Sequence, residues 1–241
     1  SYAYVIEKTD DLTQLSGFEE GAFVIQDISS MLAVEALGLP KMDNQGTLKI
    51  LDICAAPGGK SMLAADILNH ADIDYMLEAR DISEYKVELM QENFNRCHLN
   101  KAKAVAWDAL EPDERWLGQA DVVIADIPCS GLGVIGRKRD IKYKMTPQAV
   151  QDIVELQEKI LKVAASYVKK GGKLLFSTCT VNKDENEAHV KWIQDTLKMT
   201  PVSLNGTLPG LVHSPTTQQG FVQLIPGMQD TDGFFISVFE K

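Results

Sequence analysis

The sequence predicts an α/β fold built on a doubly wound, mostly parallel sheet. Three observations carry that prediction. From residue 48 onward, short apolar runs alternate with longer segments of helical periodicity, which is the pattern of repeated βαβ units. Val122-Val123-Ile124 is an unbroken apolar run, as expected of a strand buried on both faces. Each unusual motif begins just after a predicted strand, where open α/β sheets hold their ligands.

The elements follow in order. Met31, Leu32, Val34 and Leu37 mark a helix over 28–39, stopped near Gly38 and Pro40. A polar linker over 42–47 leads into a strand over 48–53, a glycine loop, and a helix over 60–69. A second strand covers 74–79 and ends at Arg80-Asp81. Ser83 is placed to cap a helix running to His98, with Val87, Met90 and Phe94 at helical spacing. Strands are expected over 102–107 and 120–125, then a loop over 129–145 rich in glycine and basic residues. Thr146-Pro147 opens a helix to about residue 169, which Gly171-Gly172 should end. A strand over 173–177, a helix over 184–197 and strands over 221–225 and 234–239 complete the chain. Residues 1–45 read as a lead-in segment whose helix packs on the domain formed by 46–241.

Composition narrows the function. With 241 residues, 45% hydrophobic and 24% charged, the chain can bury one large core, which excludes a disordered, collagen-like or disulfide-scaffold protein. No apolar run approaches the length that crosses a bilayer, and no charged-then-apolar leader opens the chain, so a cytoplasmic protein without a membrane partner is expected. Ser1 stands where a start methionine would, so a piece of a longer protein is expected. The net charge of −10 makes a poor general polyanion binder. Cys54, Cys97, Cys129 and Cys179 contain no C-x-x-C pair, so no metal site is expected.

The chemistry lies in the strand-end motifs. Cys54-Ala55-Ala56-Pro57-Gly58-Gly59-Lys60 offers small residues for close backbone approach and a helix N-terminus beyond. It is neither G-x-G-x-x-G nor a P-loop, which disfavours dinucleotides and triphosphates. Asp81 suits the two hydroxyls of a ribose, and Asp108 suits an adenine amino group. Asp126-Ile127-Pro128-Cys129 carries a thiol where enzymes that methylate base amines carry an aromatic residue, which favours methylation at carbon. Ser177-Thr178-Cys179-Thr180 ends the next strand. Neighbouring strands lie about 5 Å apart, so Cys129 and Cys179 should face one crevice. Either thiol alone is more often a small buried hydrophobe. A local basic island, with Arg137, Lys138, Arg139 and Lys142, is suited to nucleic-acid phosphates.

Together these residues resemble the Sun/Fmu family of RNA cytosine-C5 methyltransferases, most closely its bacterial 16S ribosomal RNA branch. The resemblance begins at Gly17-Phe18-Glu19-Glu20-Gly21 and Gln26-Asp27-Ile28-Ser29-Ser30 and continues through Cys54–Lys60, Asp126–Gly133 and Asp140-Ile141-Lys142. It takes in Ser177–Thr180 with Glu185-Asn186-Glu187 and ends at Asp232-Gly233-Phe234-Phe235. It implies a seven-stranded, Rossmann-like sheet of the S-adenosylmethionine-dependent methyltransferase type, with the last strand antiparallel. It implies that Cys54 to Lys60 line the methionine and ribose region, that Asp81 holds the ribose, that Asp108 holds the adenine, and that Asp126 lies between cofactor and base. Cys179 would be the nucleophile, Cys129 would assist product release, and Lys60 would orient them. The partner would be RNA, most simply ribosomal RNA, bound by a monomer. The family often reads Arg-Arg-His-Pro before Asp-Ile-Lys-Trp, whereas this chain has Gly136-Arg137-Lys138-Arg139 and then Tyr143. Bacterial members also carry an N-terminal helical RNA-binding domain. A uracil-C5 or DNA cytosine-C5 enzyme, in the latter case with Cys129 as nucleophile, and a non-catalytic assembly factor remain alternatives.

Overall fold

The computed structural model describes residues 3–5, 12–42, 46–208, 215–228 and 230–241. Among the described residues, eight strands form one sheet: Leu48–Asp52 (β1), Tyr75–Asp81 (β2), Ala102–Ala106 (β3), Ala120–Asp126 (β4), Val168–Thr178 (β5), Thr200–Pro201 (β6), Phe221–Leu224 (β7) and Phe234–Glu240 (β8). Their order is β3-β2-β1-β4-β5-β8-β6, with β7 also pairing with β8. β1 to β5 run parallel, and β8 is antiparallel to β5. Seven strands have four residues or more, so the doubly wound, mostly parallel sheet stands as read. The two-residue β6 is an addition at the edge of β8.

Helices cover both faces. They are Ile28–Glu35 (α1), Gly59–His70 (α2), Glu84–Arg96 (α3), Ile141–Lys144 (α4), Pro147–Tyr167 (α5), Glu187–Trp192 (α6) and Pro215–Gln218 (α7). The period-two alternation of each strand sorts its side chains between two cores. Leu48 and Ile50 of β1, with Val122 and Ile124 of β4, join Leu63, Met90 and Phe94 of α2 and α3. Leu51 and Val123 face the other way, with Ile160, Leu161 and Val190 of α5 and α6. Ala33, Val34 and Leu37, in and just after α1, lie in the first of these cores. No helix among the described residues is long and apolar enough to cross a membrane.

Several boundaries differ from the sequence reading. Gly171-Gly172 does not end a helix: α5 stops at Tyr167, and β5 runs through both glycines. The β4–β5 register shifts between Ala120, opposite Val168, and Val122, opposite Lys173. Gly171 takes φ +74°, and a Cβ on Gly172 would meet the Ala120 carbonyl oxygen at 2.9 Å. The pair is therefore a bulge, and pairing across the sheet decided a segment that local glycine rules read as a helix stop. The helix expected over 28–39 ends at Glu35, and Leu39–Lys41 forms a 3₁₀ turn. The helix expected over 184–197 is α6 followed by a π-helical turn, Ile193–Leu197. Ser83 makes no side-chain cap; its N–H instead donates to Asp81. The loop over 129–145 contains a 3₁₀ turn at Leu132–Val134 and then α4.

Candidate active site

β1 and β4 are neighbours from which the chain winds outward in opposite directions, so their carboxyl ends form the switch point. The loop after β1 is hung across it: the Ile53 N–H donates to Ile124 O and the Ala55 N–H to Arg80 O. Gly58 takes φ +99°, and its α-carbon sits so close to α3 that a Cβ would lie 3.3 Å from Met90 Cγ. Glycine answers both demands. α2 starts at the next residue, with its first N–H groups at the loop. Asp52, at the end of β1, is fully buried; Ser61 Oγ donates to its Oδ2 at 2.7 Å, and its Oδ1 has no hydrogen-bond partner among the described residues. Burial pushes its carboxyl up to about 7. Burial and then the nearby acids push the Cys54 thiol up as well.

Asp81 ends β2 and is 8% exposed. Its Oδ1 accepts the Ser83 N–H and lies 3.6 Å from Lys86 Nζ, and its Oδ2 has no partner among the described residues. Asp108 follows β3, and its Oδ1 accepts the Leu110 N–H. Between these acids, Arg80 is buried beneath the Trp107 ring, paired with Glu78 and Asp113 at 2.5 Å each. Tyr167 Oη accepts the Asp113 N–H. Sequence reasoning missed this anchor, whose one visible signal was an arginine within an otherwise buried strand.

The reactive groups meet at the ends of β4 and β5. Lys60 Nζ lies 2.5 Å from Asp126 Oδ2 and 5.2 Å from the centre of the Phe234 ring. Ser177 Oγ donates to Asp126 Oδ1 at 2.8 Å. Cys129 Sγ and Cys179 Sγ are 3.2 Å apart, both thiols free. Their ionisation is split. The hydrogen bond to Cys179, and then burial, push Cys129 up; the same bond holds Cys179 below the ordinary thiol range, although burial opposes it. The two shifts run in the direction in which Cys129 holds its proton longer and Cys179 ionises first.

The structure thus brings Lys60, Asp126, Cys129 and Cys179 together beside the loop of Cys54 to Gly59, with Asp81 and Asp108 along the same sheet edge. It treats the basic island differently. Arg137 Nη2 lies 2.8 Å from Asp27 and its Nε 3.1 Å from Asp232. It is therefore engaged by two carboxylates, while 66% of its side chain stays exposed. Asp27 is held below its usual range, the Ser29 hydrogen bonds and the Arg137 charge overcoming burial, whereas burial and the charge of Asp27 raise Asp232. Lys138, Arg139 and Lys142 are exposed as well.

Comparison with known proteins identifies the family. The family described as 16S rRNA methyltransferase RsmB/F matches residues 39–240. "Probable ribosomal RNA small subunit methyltransferase B" of Bacillus subtilis is 39% identical over 227 residues, 93% of this chain and 49% of that protein. "Ribosomal RNA small subunit methyltransferase F" of Escherichia coli is 30% identical over 92% of this chain and 45% of its own length. The chain therefore spans about half the length of the relatives it matches. Among solved structures, NSun6 from Pyrococcus horikoshii with SFG superposes with a TM-score of 0.79 at 27% identity, covering 97% of this chain and 56% of that one. The matched span takes in all eight strands and every strand-end motif described above, and the chain belongs to the 16S rRNA methyltransferase RsmB/F family.

Proposed function

We propose that this chain transfers a methyl group from S-adenosylmethionine to C5 of a cytosine in RNA, through a covalent bond between Cys179 and C6, and that ribosomal RNA is the substrate. The observation that carries the reading is the sulfur pair: two free thiols 3.2 Å apart, one held down and one pushed up. The relatives' names support ribosomal RNA. The donor set along the sheet edge fits the cofactor. Asp81 and Asp108 each commit Oδ1 to a backbone N–H and keep Oδ2 available, as ribose hydroxyls and an adenine amine require. When bound, the cofactor supplies an electrophilic methyl on a sulfonium.

Cytosine C5 is a weak nucleophile until C6 is attacked. The Cys179 thiolate forms the S–C6 bond, and the C5=C6 pair moves to C5, which takes the methyl. Asp126, set by Ser177 and Lys60, is placed to accept from the 4-amino edge of the base. Once Cys179 is a thioether, Cys129 no longer faces an anion. The largest cause of its raised pKa disappears, and its proton leaves to solvent. The freed Cys129 thiolate takes the C5 proton, the C5=C6 bond re-forms and Cys179 departs as thiolate. The base must be unstacked to reach these groups.

Labelled methyl transfer with nucleoside analysis tests the reaction; label in 5-methyluridine, in DNA, or nowhere selects the other readings. Cys129→Ala should accumulate a covalent enzyme–RNA complex, seen as a retarded band on a denaturing gel, and Cys179→Ser should give neither band nor product. A band with Cys179→Ser instead reverses the roles.

A further inference from the structure

The reaction needs Cys129 at hydrogen-bonding distance from Cys179, yet Cys129 follows a proline in a non-repetitive segment after β4. Two buried side chains from other elements grip that segment. Gln157 of α5 donates from Nε2 to Pro128 O at 2.9 Å and to Glu185 Oε2 at 3.1 Å. Glu185 Oε2 also accepts the Ser130 N–H at 2.8 Å. The peptide groups on both sides of Cys129 thus end on one Gln–Glu pair, and both members are 0% exposed. A hydroxyl contact reinforces it: Ser130 Oγ lies 2.7 Å from Thr180 Oγ1, so the residues following the two cysteines are tied to each other.

Gln157 sits where helix packing asks for an apolar residue. It lies between Ile153 and Leu161 at four-residue spacing, on the buried face of α5. A buried amide carries a desolvation cost. The structure shows what the amide does there: it reaches the one carbonyl and the one carboxylate that frame Cys129.

We propose that Gln157 and Glu185 are positioning residues for Cys129, fixing the peptide groups on either side of it so that its sulfur stays against Cys179. They touch neither reacting sulfur in the contacts above, so their effect runs through the backbone of Pro128-Cys129-Ser130. The inference rests on the proposed function only where it assigns a purpose to the sulfur pair.

The titratable and charged groups acting on Cys179 include the Cys129 thiol, Asp126 with its partner Lys60, and Lys138; Glu185 acts on Cys129. Asp126 raises the Cys179 thiol and Lys138 lowers it, while the bond from Cys129 is the largest influence. Loosening Cys129 should therefore raise the pH at which Cys179 becomes reactive.

The test is the pH profile of Cys179 alkylation by iodoacetamide, read peptide by peptide in the intact chain without RNA or cofactor. Cys129→Ala should move the Cys179 midpoint up, with less thiolate at a fixed pH below it. Gln157→Met keeps the volume but removes both donations, and it should move the midpoint the same way. Glu185→Ala should do likewise, whereas Glu185→Gln, whose amide oxygen can accept from the same two donors, should keep the wild-type profile. A structural role alone would lower the melting temperature of these variants and leave the midpoint in place. If Cys129→Ala shifts the midpoint but Gln157→Met, shown folded by circular dichroism, does not, the proposal is overturned. If Cys129→Ala itself shifts nothing, the sulfur contact does not set Cys179 ionisation, and the proposal fails with it. Because no methyl transfer is read, loss of the proposed reaction would leave this result unchanged.

Discussion

Asp52 ends β1 with no solvent exposure and with no hydrogen-bond partner for Oδ1 among the described residues. Burial raises its carboxyl from an ordinary 3.8 to about 7. Between those values the unfolded chain releases a proton that the folded chain keeps, so stability falls as pH rises through that window and levels off above it. Asp52→Asn keeps an acceptor for Ser61 and cannot titrate. Relative to that variant, the wild type should lose roughly 2–4 kcal/mol between pH 4 and pH 8, read from denaturant midpoints. A difference independent of pH would mean that folding does not shift the Asp52 pKa. The motif showed Asp52 beside the glycine loop; it could not show that strands on both sides would bury it completely.

At the scale of elements, the segment after β4 is held by a backbone contact between distant glycines. The Gly133 N–H donates to Cys179 O at 3.1 Å, and Gly133 O accepts the Gly233 N–H at 2.9 Å. A Cβ on Gly133 would lie 2.2 Å from Gly233 O and 2.8 Å from Cys179 O. These atoms are backbone and cannot rotate away. Gly133→Ala should therefore cost at least 1–3 kcal/mol, a lower bound typical of overpacking, and lower the melting temperature by several degrees. Gly136→Ala, with nothing within 4 Å of the added carbon, should stay within about 0.5 kcal/mol of wild type. Equal melting temperatures for the two variants would contradict this contact. Both glycine motifs were visible in the sequence, but their mutual approach was not. The same limit applies to Gly171-Gly172, where register with β4 made a bulge out of an expected helix end.

For the whole molecule, a net charge of −10 opposes RNA except where cations are local and unengaged. Arg137 bridges Asp27 before α1 and Asp232 before β8, so it joins three distant segments at the mouth of the site. Lys138, Arg139 and Lys142, also exposed, carry the rest of the charge predicted for RNA. Replacing those three together by glutamine should flatten the slope of log affinity against log salt by up to about two units for single-stranded RNA. Arg137→Gln alone should leave the slope unchanged. Binding titrations across a salt series decide this, and a change with Arg137→Gln would return it to the RNA surface.

The sequence by itself determined the fold class, the family and the set of strand-end residues. Hydrophobic period, glycine loops and motif spacing are local properties, and they survive being read one segment at a time. Neighbouring strand ends already implied that Cys129 and Cys179 share a crevice; tertiary structure decided their contact distance and the other pairings. The sulfur pair joins positions 50 apart, Lys60 and Asp126 are 66 apart, and Arg137 and Asp27 are 110 apart. No local pattern encodes such separations. They follow from strand order and from packing on both faces of the sheet, which also bury Asp52 and place Gln157 behind Cys129.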